Sequence, residues 1–408
     1  MSSHRISIFS RPAALVLALW LGASPASAAA GLTEAEALRL GLARPEFSAL
    51  LLARVGEAEA DALAADNWPN PTLELARDKT GATRETTWQL AQSLDLSGRR
   101  GLRRDAARHR LEATEAENLA RRGERSAELR RAFHDLLRRQ ETLRAIDAWA
   151  ARFATVGRVV DKLARAGEVA GYDRRRLERE QRGAEARLAE TRAELALSRA
   201  RLEALVGREV DVPLTGRLAP EVPPTLPLLQ ARLAERPEFA ALAARAEAAT
   251  ADNAATARNL PDLTVGIGGK RVDDGPLREN SNLLMLSFSL PLFDRQQAGD
   301  RRSAAQAMAA RAELGLARQR ADGELAGLHR QTTELIVAAR RYRGEAAASS
   351  ADLLRIAETS YRAGEATILE LLDAYRGALE AETTALDLEW KAREARIELD
   401  QLTGNHPQ

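Results

Sequence analysis

Residues 282–293 restrict this chain more than any other stretch. Leu284, Leu286, Phe288, Leu290 and Leu292 fall on one side of an extended backbone, and Met285, Ser287 and Ser289 on the other. That is the period-two pattern of a strand with one apolar face and one small or polar face. Just upstream, Leu263, Val265 and Ile267 alternate with Thr264, Gly266 and Gly268, and the polar loop 270–276 separates the two runs. The spacing predicts a hairpin of strands roughly 9–11 residues long, the length that crosses a bilayer at a tilt. A second hairpin lies earlier, with strands at 72–77 and 86–96 flanking the polar stretch 78–85. Trp88, Leu90, Leu94 and Leu96 share a face there, with Gln92 the exception; Thr87, Gln89, Ala91, Ser93 and Asp95 share the other.

Four membrane-length strands cannot close a barrel. Two edges would stay unpaired in lipid, where each unmade backbone hydrogen bond costs several kcal/mol, and the smallest membrane barrels have about eight strands. The chain is therefore expected to oligomerise, each copy giving four strands to a shared barrel. The apolar faces meet lipid, the Thr/Ser/Gly/Gln faces line a lumen, and Trp88 stands where an interfacial aromatic sits. Four ordinary strands of a soluble sheet would leave the export signal and the long helices described next without a purpose.

Arg5 and Arg11 precede an apolar run starting at Ala13, and Ala26-Ser-Ala28 follows as a cleavage site. At about 11 residues the run is short for a membrane helix and reads as a secretory signal peptide, 1–29. The 408 residues include no cysteine, so no disulfide and no lipid-modified cysteine is possible. With 60 basic and 59 acidic residues the net charge is +1, which argues against a dedicated nucleic-acid binder.

The mature chain opens with a short helix at 33–43, where Thr33 and Glu36 have the form of a capping box. A second helix runs over 45–66. From 98 to 165 there is no proline, and a helix of that length spans on the order of 100 Å. Leu129, Phe133, Leu136, Leu143, Ile146, Phe153, Val156, Val160 and Leu163 mark a coiled-coil seam along it. A return helix runs over 172–206, with Leu188, Thr191, Leu195, Ser198, Leu202 and Leu205 as its seam, and stops at Gly207. The proline-rich stretch 208–227 reads as a linker that crosses over rather than folds.

The pattern then restarts. Arg44-Pro-Glu-Phe47 recurs as Arg236-Pro-Glu-Phe239, and Asn67-Trp-Pro69 as Asn259-Leu-Pro261. Ser93-Leu-Asp-Leu96 matches Ser289-Leu-Pro-Leu292, Arg165-Ala-Gly-Glu168 matches Arg362-Ala-Gly-Glu365, and Leu205-Val-Gly207 matches Leu402-Thr-Gly404. Anchors in one register at this period indicate a tandem duplication, with repeats 30–207 and 228–408. The second repeat is expected to carry a long helix at 297–361 and a return helix from 367, with a seam at Leu372, Leu379, Leu386, Trp390 and Ile397. The fold class is mainly α with a membrane β part.

These motifs make the sequence resemble the TolC family of trimeric outer-membrane efflux channels over residues 32–404. The resemblance rests on the opening Leu32-Thr-Glu-Ala-Glu-Ala-Leu-Arg-Leu-Gly-Leu-Ala43, on Asn67-Trp-Pro-Asn-Pro71, and on the paired Arg-Ala-Gly-Glu turns. The segment 92–101, Gln-Ser-Leu-Asp-Leu-Ser-Gly-Arg-Arg-Gly, is similar to the heavy-metal branch, the outer-membrane components of cobalt–zinc–cadmium efflux systems. The resemblance implies a homotrimer with a shared twelve-stranded barrel and a helical tunnel reaching into the periplasm. It implies a periplasmic adaptor and an inner-membrane pump of the resistance–nodulation–division type as partners, an outer-membrane location, and no catalysis.

By family position Arg165, Gly167, Glu168 and Val169, with Arg362, Gly364, Glu365 and Thr367, are the tips that meet the adaptor. Glu370 and Asp373 take the positions of an acidic ring at the periplasmic aperture, where three copies of each would attract cations. Asp173 stands at the equivalent of Glu370, and Arg176 at the equivalent of Asp373, where it could latch a closed state against a neighbouring acid. The simpler alternatives are turn chemistry for the glycines and a solvated helix face for the charges. The histidines, His4, His109, His134, His329 and His406, are not in ligand spacing, so no metal site and no cofactor is expected. The run Arg99-Arg-Gly-Leu-Arg-Arg104 reads as a solvated or interfacial helix start. The rival readings are a periplasmic adaptor, which would carry one helical hairpin and more strands, and a structural coiled coil of the envelope.

Overall fold

The computed structural model describes residues 31–166, 171–258, 260–290 and 292–404, apart from the side chain of Leu163. The signal peptide and the tip residues Gly167, Glu168 and Val169 lie outside them, as do Asn259 and Pro291 of the repeat anchors and His406. The element order runs α1 (Glu34–Leu42), α2 (Pro45–Asp66), β1 (Thr72–Thr80), β2 (Thr83–Leu94), α3 (Arg99–Arg165) and α4 (Gly171–Val206). It then runs α5 (Leu226–Ala234), α6 (Pro237–Thr256), β3 (Leu263–Asp273), β4 (Arg278–Phe288), α7 (Gln297–Arg341), a π-helical turn (Tyr342–Ala347), α8 (Ala348–Arg362) and α9 (Ile368–Leu402).

The strands form one antiparallel sheet in the order β1-β2-β3-β4. Its register puts Leu73, Leu90, Ile267 and Leu284 in a single row across all four strands, with Leu75 opposite Trp88 and Val265 opposite Leu286 in neighbouring rows. This face is exposed in the protomer, Leu284 by 73%. On the other face Gln89 donates to the Met285 sulfur at 3.0 Å. Gly268 is required there, since a Cβ on it would stand 2.3 Å from the Trp88 carbonyl oxygen of β2.

The hairpin loops are shorter than the polarity of the sequence suggests. Most of 78–85 is strand, turning at Gly81 with a φ of 64°, and most of 270–276 likewise pairs up to Asp273. Polar residues at a hairpin's solvated end extend the ladder without disturbing it, because pairing satisfies their backbone groups whatever the side chains are. At the other end β4 stops at Phe288, so Leu290 and Leu292 lie beyond the strand.

The helix positions follow the expected seams. Leu129, Phe133, Leu136, Ile146, Phe153 and Val160 of α3 are buried, as are Thr191, Ser198 and Leu202 of α4. The upper half of α3 packs between α2 and α6, its lower half between α4 and α9. One core joins α1, α3, the end of α4 and the linker around Phe133 and Leu202. A matching core joins α5, α6, α7 and α9 around Leu325 and Leu399.

Three expectations are corrected. The second long helix is interrupted, because the π turn at Tyr342–Ala347 divides α7 from α8. Its cause is packing: Arg343 in the turn reaches α9, donating to Glu382 at 2.5 Å and Glu389 at 2.8 Å. The linker is not a bare crossover. Val210, Leu214 and Leu218 are buried, and the Leu32 amide bonds Pro213 while the Thr215 amide bonds Leu32. At α1 only half of the capping box forms: the Glu36 amide donates to Thr33 Oγ1 at 3.3 Å, while the Glu36 carboxylate pairs with Arg208.

Each repeat starts its long helix the same way. Gly98 and Gln296 precede α3 and α7 in the left-handed region, at φ 70° and 63°. The amides of Ser97 and Gln296 bond Asp95 and Asp294. The arginine run that follows is internally engaged: Arg99 pairs with Asp262, Arg100 donates to the Asp66 carbonyl and lies 4.2 Å over the Trp68 ring, and Arg104 pairs with Asp66.

Candidate functional site

Two places concentrate chemistry: the tip end of the helices and a buried charge cluster midway along them. At the tip, α8 ends at Arg362, Gly364 just beyond it has a φ of 76° that lets the chain reverse, and the Glu365 amide returns to the Ser360 carbonyl at 2.9 Å. This is a helix end that a glycine closes by satisfying orphan carbonyls. Thr367 then caps α9, and here the capping box is complete. Thr367 Oγ1 accepts from the Glu370 amide at 3.3 Å, and the Glu370 carboxylate accepts from the Thr367 amide at 2.7 Å and its hydroxyl at 2.9 Å. These bonds hold the Glu370 carboxyl below its ordinary pKa, the Thr367 amide contributing most.

Beneath the cap, Ile368, Leu371, Leu372 and Tyr375 are buried against α3, α4 and α8. Trp149, Phe153 and Tyr375 stack with centroids 4.6 and 4.9 Å apart. The Trp149 indole donates to the Tyr375 carbonyl, and the Tyr375 hydroxyl donates to Glu358 at 2.6 Å. Fixing that face inward leaves Glu370 and Asp373, one turn apart, on the exposed face. Arg362, at the last turn of α8, lies 3.7 Å from Glu358. Arg165 closes α3 on the other side of the tip.

In the first repeat Asp173 is half-buried near Tyr361, whose hydroxyl is pushed up by burial and by that carboxylate. Arg176 is half-buried too, but forms no ion pair among the described residues, and its Nε is without a hydrogen-bond partner. Near the tip, the arginine that does pair across the two halves is Arg376 of α9, bonded to Glu180 of α4. Sequence reasoning missed that pair. The available signal was Arg376 lying one turn beyond Asp373, but no spacing links it to an acid 196 positions away.

Midway along the helices, Arg130 of α3 is buried between two acids. It donates to Glu34 of α1 at 2.7 Å and to Asp400 of α9 at 3.1 Å by both terminal nitrogens. His134, one turn on, bonds Glu34 through Nε2 at 3.0 Å, and Arg396 bonds Asp400 at 3.0 Å. Burial alone would raise the Glu34 carboxyl, but the His134 hydrogen bond and the Arg130 charge bring it down to about 2. Burial, helped by the cations of Arg393 and Arg130, pushes the His134 pKa below its ordinary value despite the Glu34 bond. His134 is therefore neutral at pH 7, and Nε2 carries the hydrogen that a carboxylate accepts.

This cluster gives the protein an acid limit. Unfolded His134 takes a proton as pH falls below 6.5, and unfolded Glu34 does so below 4.5; the folded forms of both resist it. Stability is therefore complete above 6.5 and declines as pH drops, with Glu34 contributing on the order of 3 kcal/mol between 4.5 and 2. In detergent, the thermal midpoint is expected to fall steadily below pH 6.5. His134→Gln should flatten that slope between pH 6.5 and 5, and an unchanged slope would remove His134 from the account.

No helix among the described residues is long and apolar enough to cross a membrane. Residues 228–405 match the family model described as outer membrane efflux protein. The outer membrane protein VceC of Vibrio cholerae superposes with a TM-score of 0.75 at 20% identity, over 91% of this chain and 96% of its own. CusC gives 0.76 at 18% identity, over 97% of this chain and 98% of its own. The MtrE outer membrane channel of Neisseria gonorrhoeae gives 0.73 at 17%, over 91% and 88%.

The fold is the one seen in these outer-membrane proteins and channels. In sequence the chain is similar to the cobalt-zinc-cadmium resistance protein CzcC of Cupriavidus metallidurans. The two are 28% identical over 348 residues, which is 82% of this chain and 81% of that protein.

Proposed function

We propose that three copies of this chain form the exit duct of a heavy-metal efflux system, receiving divalent cations from an inner-membrane resistance–nodulation–division pump through a periplasmic adaptor. The observation that carries the assembly is that sheet and helices share one open layout. The sheet ends in the unpaired edges β1 and β4. The helices below follow the same order, α2, α3, α6, α7. Both outer members are under-buried: α2 hides only Ala58 of its 22 residues, and α7 leaves Met308, Leu316 and Val337 exposed. A neighbour that continues the sheet at β1 and β4 covers α2 and α7 at the same time. The repeats, 30–207 and 228–408 with the linker between them, each supply half of one copy's wall. A lone adaptor hairpin would have no use for two such walls or for an apolar sheet face. The cation preference rests on the similarity to the resistance protein and on the exposed acids of α9.

In this assembly Glu370 and Asp373 would stand around the narrow periplasmic end in three copies, with Arg362, Gly364, Glu365, Thr367 and Arg165 toward the adaptor. Because Glu370 also caps α9, Asp373→Asn is the cleaner probe, with Glu370→Gln as its companion. The pair is expected to lower cation selectivity and raise single-channel conductance in planar bilayers. Unchanged currents would sink the ring. Mass measurement in detergent tests the assembly, since a monomer that never inserts would remove it.

A further inference from the structure

Between the linker and the helices of the second repeat lies a cavity of about 550 Å³ lined by six arginines, Arg130, Arg217, Arg340, Arg343, Arg393 and Arg396. Four carboxylates also reach it. Three are committed: Glu34 to Arg130 and His134, Asp400 to Arg130 and Arg396, and Glu389 to Arg343. Among the described residues Arg217, Arg340 and Arg393 have no ion-pair partner, and Glu221 is the one lining carboxylate without a cation. The lining therefore carries an excess of positive charge that its own acids do not match.

Arg393 is the decisive member. Its Nε donates to the Leu218 carbonyl at 2.9 Å and its Nη2 to those of Arg217 and Ala219 at 2.7 and 3.1 Å. Carbonyl oxygens orient a guanidinium without neutralising it. Burial, and then the cations of Arg130 and Arg396, pull its pKa down to about 10, against the opposing carboxylates of Glu34 and Asp400. A charge held at that disadvantage is stabilised by an anion that enters beside it. His134 lines the same cavity with its side chain 2% exposed, and its unpartnered Nδ1, an acceptor while Nε2 carries the hydrogen, suits the hydroxyl of a hydrogen phosphate. Arg217 and Arg340 are exposed, which leaves their guanidiniums open to an incoming ligand.

We propose that this cavity is a binding site for a small soluble oxyanion of phosphate or carboxylate chemistry, held by Arg393, Arg340 and Arg217. Arg217 belongs to the linker, Arg340 to the end of α7 and Arg393 to α9, so the bound anion fastens the linker to the second repeat. A lipid phosphate is not the source. Arg130 stands about 45 Å along α3 from the strand–helix junction, farther than any headgroup extends from the sheet.

The test is calorimetric titration of the detergent-solubilised full chain with inorganic phosphate at constant ionic strength, chloride being the reference. Saturable binding of one phosphate per chain is expected, with a higher thermal midpoint in phosphate than in chloride. Arg217→Ala with Arg340→Ala removes two exposed side chains and should leave the midpoint in chloride unchanged, while weakening phosphate binding about tenfold or more. Arg393→Gln should abolish it. Absence of saturable binding, or equal affinity in the double variant, would overturn the site. Binding of an acidic peptide without binding of phosphate would also overturn it, in favour of a protein contact.

Discussion

Arg130→Met is expected to destabilise the protein by about 3–5 kcal/mol, the largest effect of any single charge removal in the chain. The reason is geometric. The guanidinium is 7% exposed and faces Glu34 of α1 on one side and Asp400, 4% exposed, on the other. Methionine fills much of the volume but takes the two-nitrogen partner from Asp400 and the nearest guanidinium from Glu34, both in a poorly solvated place. The check is a denaturation midpoint in detergent, together with the yield of folded protein. Adding Asp400→Asn should recover part of the loss, because the double variant no longer buries a carboxylate that has lost the Arg130 guanidinium. Equal losses in the single and double variants would show that Arg130 acts through packing of its stem instead.

Leu284→Arg is the second. Leu284 closes the four-strand row with Leu73, Leu90 and Ile267 and is 73% exposed in the protomer. If that face meets hydrocarbon, an arginine near mid-depth costs about 2–4 kcal/mol per copy. Insertion into the outer membrane, measured by heat-modifiable migration and membrane fractionation, should then fail. Met285→Arg, next in sequence but on the opposite face, should insert and instead alter conductance. Equal behaviour of the two variants would mean that the sheet does not separate lipid from lumen.

The two variants also show how far the sequence reaches. The face assignment behind Leu284 is a period-two statement. It needs no knowledge of which strand pairs with which, so it was legible residue by residue, as were the helix seams at Leu129, Phe133 and Leu202. The tip was half legible. Gly364 and the Thr367–Glu370 box follow from local turn chemistry, yet that same box gives Glu370 a structural task beside the ring position assigned to it. Arg176 stands at the latch position by repeat, and within the protomer it forms no ion pair among the described residues while Arg376 meets Glu180, because the roll of α4 and α9 about their axes decides which side chains meet.

Local and periodic information is what the chain carried on its own: two hairpins, long helices in two matched halves, and too few strands to close a barrel alone. The strength of that information is that backbone hydrogen bonding and one-sided burial repeat every two or every 3.6 residues. Tertiary structure decided what depends on separations of tens to hundreds of residues. It brought Glu34, Arg130 and Asp400 into one buried cluster, pulled the linker into the core through Leu214 and Leu218, and opened the second long helix into a π turn so that Arg343 could reach Glu382 and Glu389. No period encodes such meetings, since they are set by how whole helices are placed against one another.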